Sequence, residues 1–168
     1  MSKKPKGEIV EFSDKPEQYQ AMGKFVYQFS QLEQAIRYLL SDLLELTPEQ
    51  FHIVTAPYDF AALCRVVSSL IQSLPYCDEA TESEAVDLFN KCLEVNDARV
   101  RLVHGTWEDD GAHHVSRATM KQKLYFANTG EITRQTDKAK GCMNRVVKLI
   151  DGDPPRWARE TRELIRDI

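Results

Sequence analysis

The chain has 168 residues, with 22 Lys and Arg against 26 Asp and Glu for a net charge of -4, 42% hydrophobic and 29% charged residues. That length fits one domain able to bury its own core, and the composition is that of an ordinary globular protein. The acidic balance excludes a general nucleic-acid binder coated in lysine and leaves a local basic patch as the route to phosphate.

Residues 1–15 are polar and read as a flexible N-terminus, and residues 16–168 as a single domain. Met1 to Lys6 carry positive charge with no hydrophobic run behind them, which is not a signal peptide. From Pro16 to about Leu46, Met22, Phe25, Phe29, Leu32, Ile36, Leu39 and Leu43 form a helical stripe. Glu33 borders that stripe, either as a rim carboxylate paired with Arg37 one turn on or as a buried partner for an arginine elsewhere. Thr47-Pro48-Glu49-Gln50 is a capping box that opens a short helix. Asp59 caps a stripe running from Phe60 to Leu74 that Pro75 ends, and Thr81-Glu82-Ser83-Glu84 is a second capping box opening a long helix.

On that long helix, at about 100° per residue, Ala85, Phe89, Cys92, Leu93, Val100 and Val103 define an apolar face widened by Leu88, Val95 and Leu102. Asn96 falls near its middle, Arg99 inside the widened arc and His104 at its far edge, whereas Arg101 sits with Asp87, Asn90, Glu94 and Asp97 on the solvated side. Arg99 is therefore expected to face inward and Arg101 to face water. An inward guanidinium needs a partner, a cleft or a second subunit. Read alone, His104-Gly105 is also what a helix C-terminus looks like, with Gly105 as a left-handed terminator.

After Gly105 the pattern changes. Trp107, Val115, Ala118, Met120, Leu124, Tyr125 and Phe126 are interrupted by Asp110-Gly111 and Asn128-Thr129-Gly130, which predicts a small antiparallel meander over about 106–132. Helix resumes near Thr136 and stops at Gly152, and a last helix bearing Arg156, Arg159, Arg162 and Arg166 completes C-terminal helices over about 136–168. The fold class is thus mostly α, a helical bundle with a small antiparallel β meander inserted after the motif helix.

The spacing Arg-x4-His at the end of a long helix, Arg99 to His104 followed by Gly105 and Trp107, resembles the signature of the HEPN superfamily. The resemblance covers roughly residues 17 to 107 and includes the first-helix pattern Phe25-x3-Phe29-x2-Leu32-Glu33-x2-Ile36. It implies a HEPN-like compact helical domain and a metal-independent endoribonuclease of toxin or defence type. In such an enzyme the ribose 2′-OH attacks the adjacent phosphate and leaves a 2′,3′-cyclic phosphate and a 5′-hydroxyl. On that reading His104 is the general acid or base, Arg99 stabilises charge on the phosphoryl oxygens, Asn96 orients the phosphate or His104, and Glu33 holds Arg99. The resemblance also implies a homodimer with facing motifs and, for toxins, a cognate antitoxin protein. One position departs from the family, where Asn, Asp or His often follows the motif arginine and here Val100 does. This keeps open a non-catalytic HEPN-like binding or scaffold module, beside an unrelated helical immunity or interaction protein.

His113, His114, Arg117, Lys121 and Lys123 make a basic run on the expected strands, either a solvated sheet face or a phosphate-tracking RNA surface with Trp107 or Tyr125 for base stacking. Asp109, Asp110, His113 and His114 straddle a turn and read as solvated loop residues, so no metal and no cofactor is expected. Cys64, Cys77, Cys92 and Cys142 are widely spaced with no C-x-x-C pair, which favours reduced thiols and a cytoplasmic location. No apolar run is long enough to span a membrane.

Overall fold

The computed structural model describes residues 15–75, 77–115 and 119–151. Within them the order is α1 (Pro16–Leu43), α2 (Pro48–Thr55), α3 (Phe60–Gln72), α4 (Glu79–His104), β1 (Thr106–Glu108), β2 (Gly111–Val115), β3 (Gln122–Tyr125) and α5 (Thr129–Asp151). The protein is a mostly helical bundle with a three-stranded antiparallel sheet, as the periodicity leads one to expect. The arginines expected on a last helix, and Arg117, lie outside the described residues.

The local signals act where the sequence places them, with three displacements. At α2 the Thr47 hydroxyl accepts from the Gln50 amide while Gln50 Oε1 accepts from the Thr47 amide, a complete capping box. Asp59 caps α3 through a 2.7 Å bond from the Ala62 amide. α1 ends at Leu43 rather than near Leu46, because Glu45 turns into left-handed backbone at φ 50°. α4 starts at Glu79 because Asp78 accepts from the Thr81 amide at 2.7 Å, so the expected box lies inside the helix. That bond holds the Asp78 carboxyl below the usual carboxylate range. α5 begins at Thr129, about two turns before Thr136, because Asn128 caps it instead of closing a turn.

α1 packs most extensively on α5, and α3 on α4. The shared core takes Phe25, Leu32, Ile36 and Leu40 from α1, Leu63 and Val67 from α3, Leu88 and Val95 from α4, and Ile132 and Val146 from α5. Each such side chain contributes about 1.5–3 kcal/mol by leaving water. All four cysteines are free thiols. Cys92 bonds to Cys142 and to Cys64 where α3, α4 and α5 meet; the Cys64 bond and burial outweigh the opposing pull of Cys142, so its thiol is pushed up and stays protonated. Cys64, Cys92 and Cys142 are thus buried core residues, and Cys77 is half-buried against that core. No single helix among the described residues is long and apolar enough to cross a membrane.

Candidate functional site

The site is built at the C-terminal end of α4. The buried residues of this helix run Ala85, Leu88, Cys92, Val95, Leu102, alternating steps of three and four, with Phe89 and Ala98 beside them. Arg99 fills the one slot of that alternation, between Val95 and Leu102, that a buried apolar residue does not. It is half-buried and its guanidinium carbon lies 5.9 Å from the centre of the Phe29 ring on α1. The expected inward turn of Arg99 is thus only partial. No carboxylate among the described residues pairs with it: Glu33 accepts from Arg37 Nη2 at 2.6 Å, and Arg37 also donates to the carbonyls of Thr55 and Tyr58. The supporting role read for Glu33 towards Arg99 is therefore corrected. Glu33 instead orients Arg37, which ties α1 to the α2–α3 connection.

What Arg99 does meet is His104, with Nη1 3.5 Å from Nε2. The separation is at the long end of the hydrogen-bond range, so the two side chains are neighbours and not a locked pair. The two motif residues therefore converge across the exposed face that carries Val103. Asn96, one turn before Arg99, is half-buried, and no hydrogen bond of its amide is formed among the described residues.

Gly105 then brings the sheet against the helix. Its backbone is extended (φ -71°, ψ 148°) and not left-handed, so the terminator expected from sequence is absent. The glycine is required by space instead, because an added Cβ would lie 2.5 Å from the Arg101 carbonyl and 3.2 Å from Ala112 Cβ. The chain runs directly into β1, and β2 pairs with both neighbours through Trp107↔Ala112 and Ala112↔Tyr125, then His114↔Lys123. Residues paired in this way share a face. On that face Trp107 and Ala112 sit towards the core, and His114, Lys123 and Tyr125 continue outward.

An open groove of about 950 Å³ lies between this outer part of the sheet and the last turn of α4, lined by Val100, Arg101, His104, His114, Lys121, Lys123, Tyr125 and Thr119. Among the described residues no carboxylate lines it. Lys121 and Lys123, read as phosphate contacts, thus share a surface with His104. Arg101 departs from expectation: its guanidinium lies 4.7 Å from the centre of the Tyr125 ring, with Asp97 at 3.6 Å, and it forms part of the groove wall. The helical count placed it correctly away from the core but could not show that the sheet would return to cover it.

Trp107 is the second departure. Its Nε1 donates to the Leu102 carbonyl at 2.9 Å and its ring stacks on Phe126 at 6.2 Å, away from the groove. It wedges the sheet onto α4, and it lines a separate pocket with Lys15, Gln18 and Met22 and not the groove beside His104. Tyr125 is the aromatic residue in the groove.

On the opposite sheet face, Glu108, Asp110 and His113 bring ligand-type atoms within 4.8 Å of one another. His113 Nε2 is 2.8 Å from Asp110 Oδ1 and 3.7 Å from Glu108 Oε2, while Asp109 faces Lys15. The bond to Asp110 raises the His113 pKa, and the same bond lowers that of Asp110. The depressed carboxyl stabilises the fold above its ordinary range and loses that contribution as pH falls through its folded value. The raised imidazole stabilises it below its ordinary value and loses that contribution as pH rises through its folded value. The melting-temperature deficit of His113→Gln should therefore be largest between about pH 4 and about pH 6.5 and shrink on either side. Thermal melts across pH would show this, and a deficit that does not vary with pH would contradict it.

No family model, curated protein or solved structure matches this chain.

Proposed function

We propose that the chain is a metal-independent endoribonuclease, with the groove beside His104 as its RNA-binding surface. The observation that carries this reading is the approach of Arg99 to His104, which itself lines a groove walled by Arg101, Lys121 and Lys123 with no carboxylate among the described residues. Phosphate would be drawn there despite the acidic net charge of the whole chain. The ribose 2′-OH supplies the nucleophile, His104 moves the proton, and the Arg99 guanidinium faces the charge that builds on the phosphoryl oxygens. Asn96, one turn before Arg99 and outside the groove lining, forms no side-chain hydrogen bond among the described residues and would orient the phosphate. Cleavage is expected to persist in EDTA and to stop when the residue at the cut site is 2′-deoxy. Activity that needs added Mg²⁺, or that tolerates the 2′-deoxy residue, would overturn the mechanism.

A second reading, a non-catalytic RNA-binding module of the same type, is favoured by Val100, an apolar residue lining the groove directly after the motif arginine. Binding without cleavage in the same assay would select it. The toxin or defence setting, with an antitoxin partner, rests on the resemblance of the Arg-x4-His segment, and growth arrest on expression that His104→Ala relieves would support it.

We further propose a homodimer through this end of the bundle. Val103 on α4 is 44% exposed and Val26, one turn from Phe29 on α1, is 46% exposed, so the described residues leave part of the over-wide apolar arc of α4 uncovered. Light scattering should give twice the chain mass at micromolar concentration, and Val103→Asp should halve it. A wild-type monomer would exclude this interface.

A further inference from the structure

We propose that His114 is a second proton-transfer group of this site, protonating the departing 5′-oxygen while His104 takes the proton of the attacking 2′-hydroxyl. The inference rests on the endoribonuclease reading and adds to it a residue outside the Arg-x4-His segment.

Three observations lead to it. His104, from the end of α4, and His114, from β2, line the same groove although they belong to different elements. The neighbouring His113 is turned to the other sheet face and bound by Asp110, whereas the His114 ring has no hydrogen-bond or ion-pair partner among the described residues. His114 is also held in place by the ladder, since it stands opposite Lys123 between the paired positions His113↔Leu124 and Val115↔Gln122. A half-buried imidazole on a paired strand, without a partner among the described residues and lining a cationic groove, is placed to meet a bound phosphodiester.

The chemistry asks for such a group. In the displacement the 2′-oxygen gives up its proton and bonds to phosphorus, while the bond from phosphorus to the 5′-oxygen breaks and that oxygen must gain a proton to leave as an alcohol. The attacking and leaving oxygens lie on opposite sides of phosphorus in an in-line reaction, so one imidazole cannot serve both at once. With His104 on the helix wall and His114 on the sheet wall, one neutral ring accepts the first proton and one protonated ring donates the second. No proton is gained or lost overall. Arg101, Lys121 and Lys123 then neutralise the phosphate between them.

The test compares two substrates with the full chain in EDTA: an RNA dinucleotide, and uridine 3′-(4-nitrophenyl phosphate), whose phenolate leaves without being protonated. His114→Ala should lower cleavage of the dinucleotide about 10²- to 10⁴-fold and of the aryl ester less than about tenfold, whereas His104→Ala should lower both. His114→Gln, which keeps the strand's bulk, should behave like His114→Ala. Equal losses on the two substrates, or none on either, would overturn the role of His114 while leaving the endoribonuclease reading intact. A wild-type chain that cleaves neither substrate would overturn that reading and this inference with it.

Discussion

His104→Ala is expected to lower RNA cleavage by about two to four orders of magnitude, the usual worth of a positioned acid–base group. The fold should survive, because the side chain is exposed at a helix end, where it contributes at most about 2 kcal/mol. Arg99→Lys should not retain activity. The guanidinium reaches His104 Nε2 with one arm while it rests on Phe29, and a single ammonium cannot reproduce that fork. Arg101→Ala should act differently. The helical count alone predicts that it is nearly silent, but the side chain lies against Tyr125 in the groove wall, so the substitution should weaken RNA binding and reduce its salt dependence. Single-turnover cleavage with excess enzyme separates the effects, since at saturation Arg101→Ala should recover a near wild-type rate and His104→Ala should not. Identical rate losses from all three substitutions would show that these residues do not hold distinct places in one site.

The parts of the fold written in local physics were legible beforehand. The stripes on α1 and α3, the Thr47 box and the Asp59 cap depend on residues three or four apart, and they form where the sequence indicates. α4 shows where that ends. Its apolar arc was centred on Ala85, Phe89, Val100 and Val103, yet the C-terminal half buries Val95, Ala98 and Leu102 and leaves Val103 open. A helical wheel gives the width of an arc, but the neighbours choose which flank of a wide arc is covered. The convergence of Arg99 with His104 was visible because both lie on one helix. The groove was only half visible: Lys121 and Lys123 were singled out, but their place beside His104 depends on how closely β2 approaches α4, which Gly105 permits through space and not through a special torsion. His114 and His113 could not be told apart without the strand register, although alternation already requires them to face opposite ways.

Trp107 offers the sharpest separation of a structural from a functional aromatic residue. Trp107→Ala should destabilise the protein by about 2–4 kcal/mol, a large fraction of a small domain's total, because it removes the indole packing and leaves the Leu102 carbonyl without its donor. Phe126 adds to the cost. It is buried at φ 55°, in left-handed backbone unfavourable for a non-glycine residue, and its stacking on Trp107 helps to hold it there. Trp107→Phe keeps a ring against Phe126 but loses the hydrogen bond and part of the indole's volume, so it should cost about 1–3 kcal/mol, less than Trp107→Ala. Because Trp107 points away from the groove, Trp107→Phe should bind RNA like the wild type at a temperature where both are folded. Tyr125→Ala should show the opposite pattern: weaker RNA binding, since a stacked base is worth about 1–3 kcal/mol, with a smaller loss of stability. Denaturant unfolding and RNA titration on the same three variants decide the matter. Weakened RNA binding by a fully folded Trp107→Phe protein, with Tyr125→Ala unaffected, would move the recognition surface to the α1 end of this sheet face, where Trp107 lines a pocket with Lys15, Gln18 and Met22.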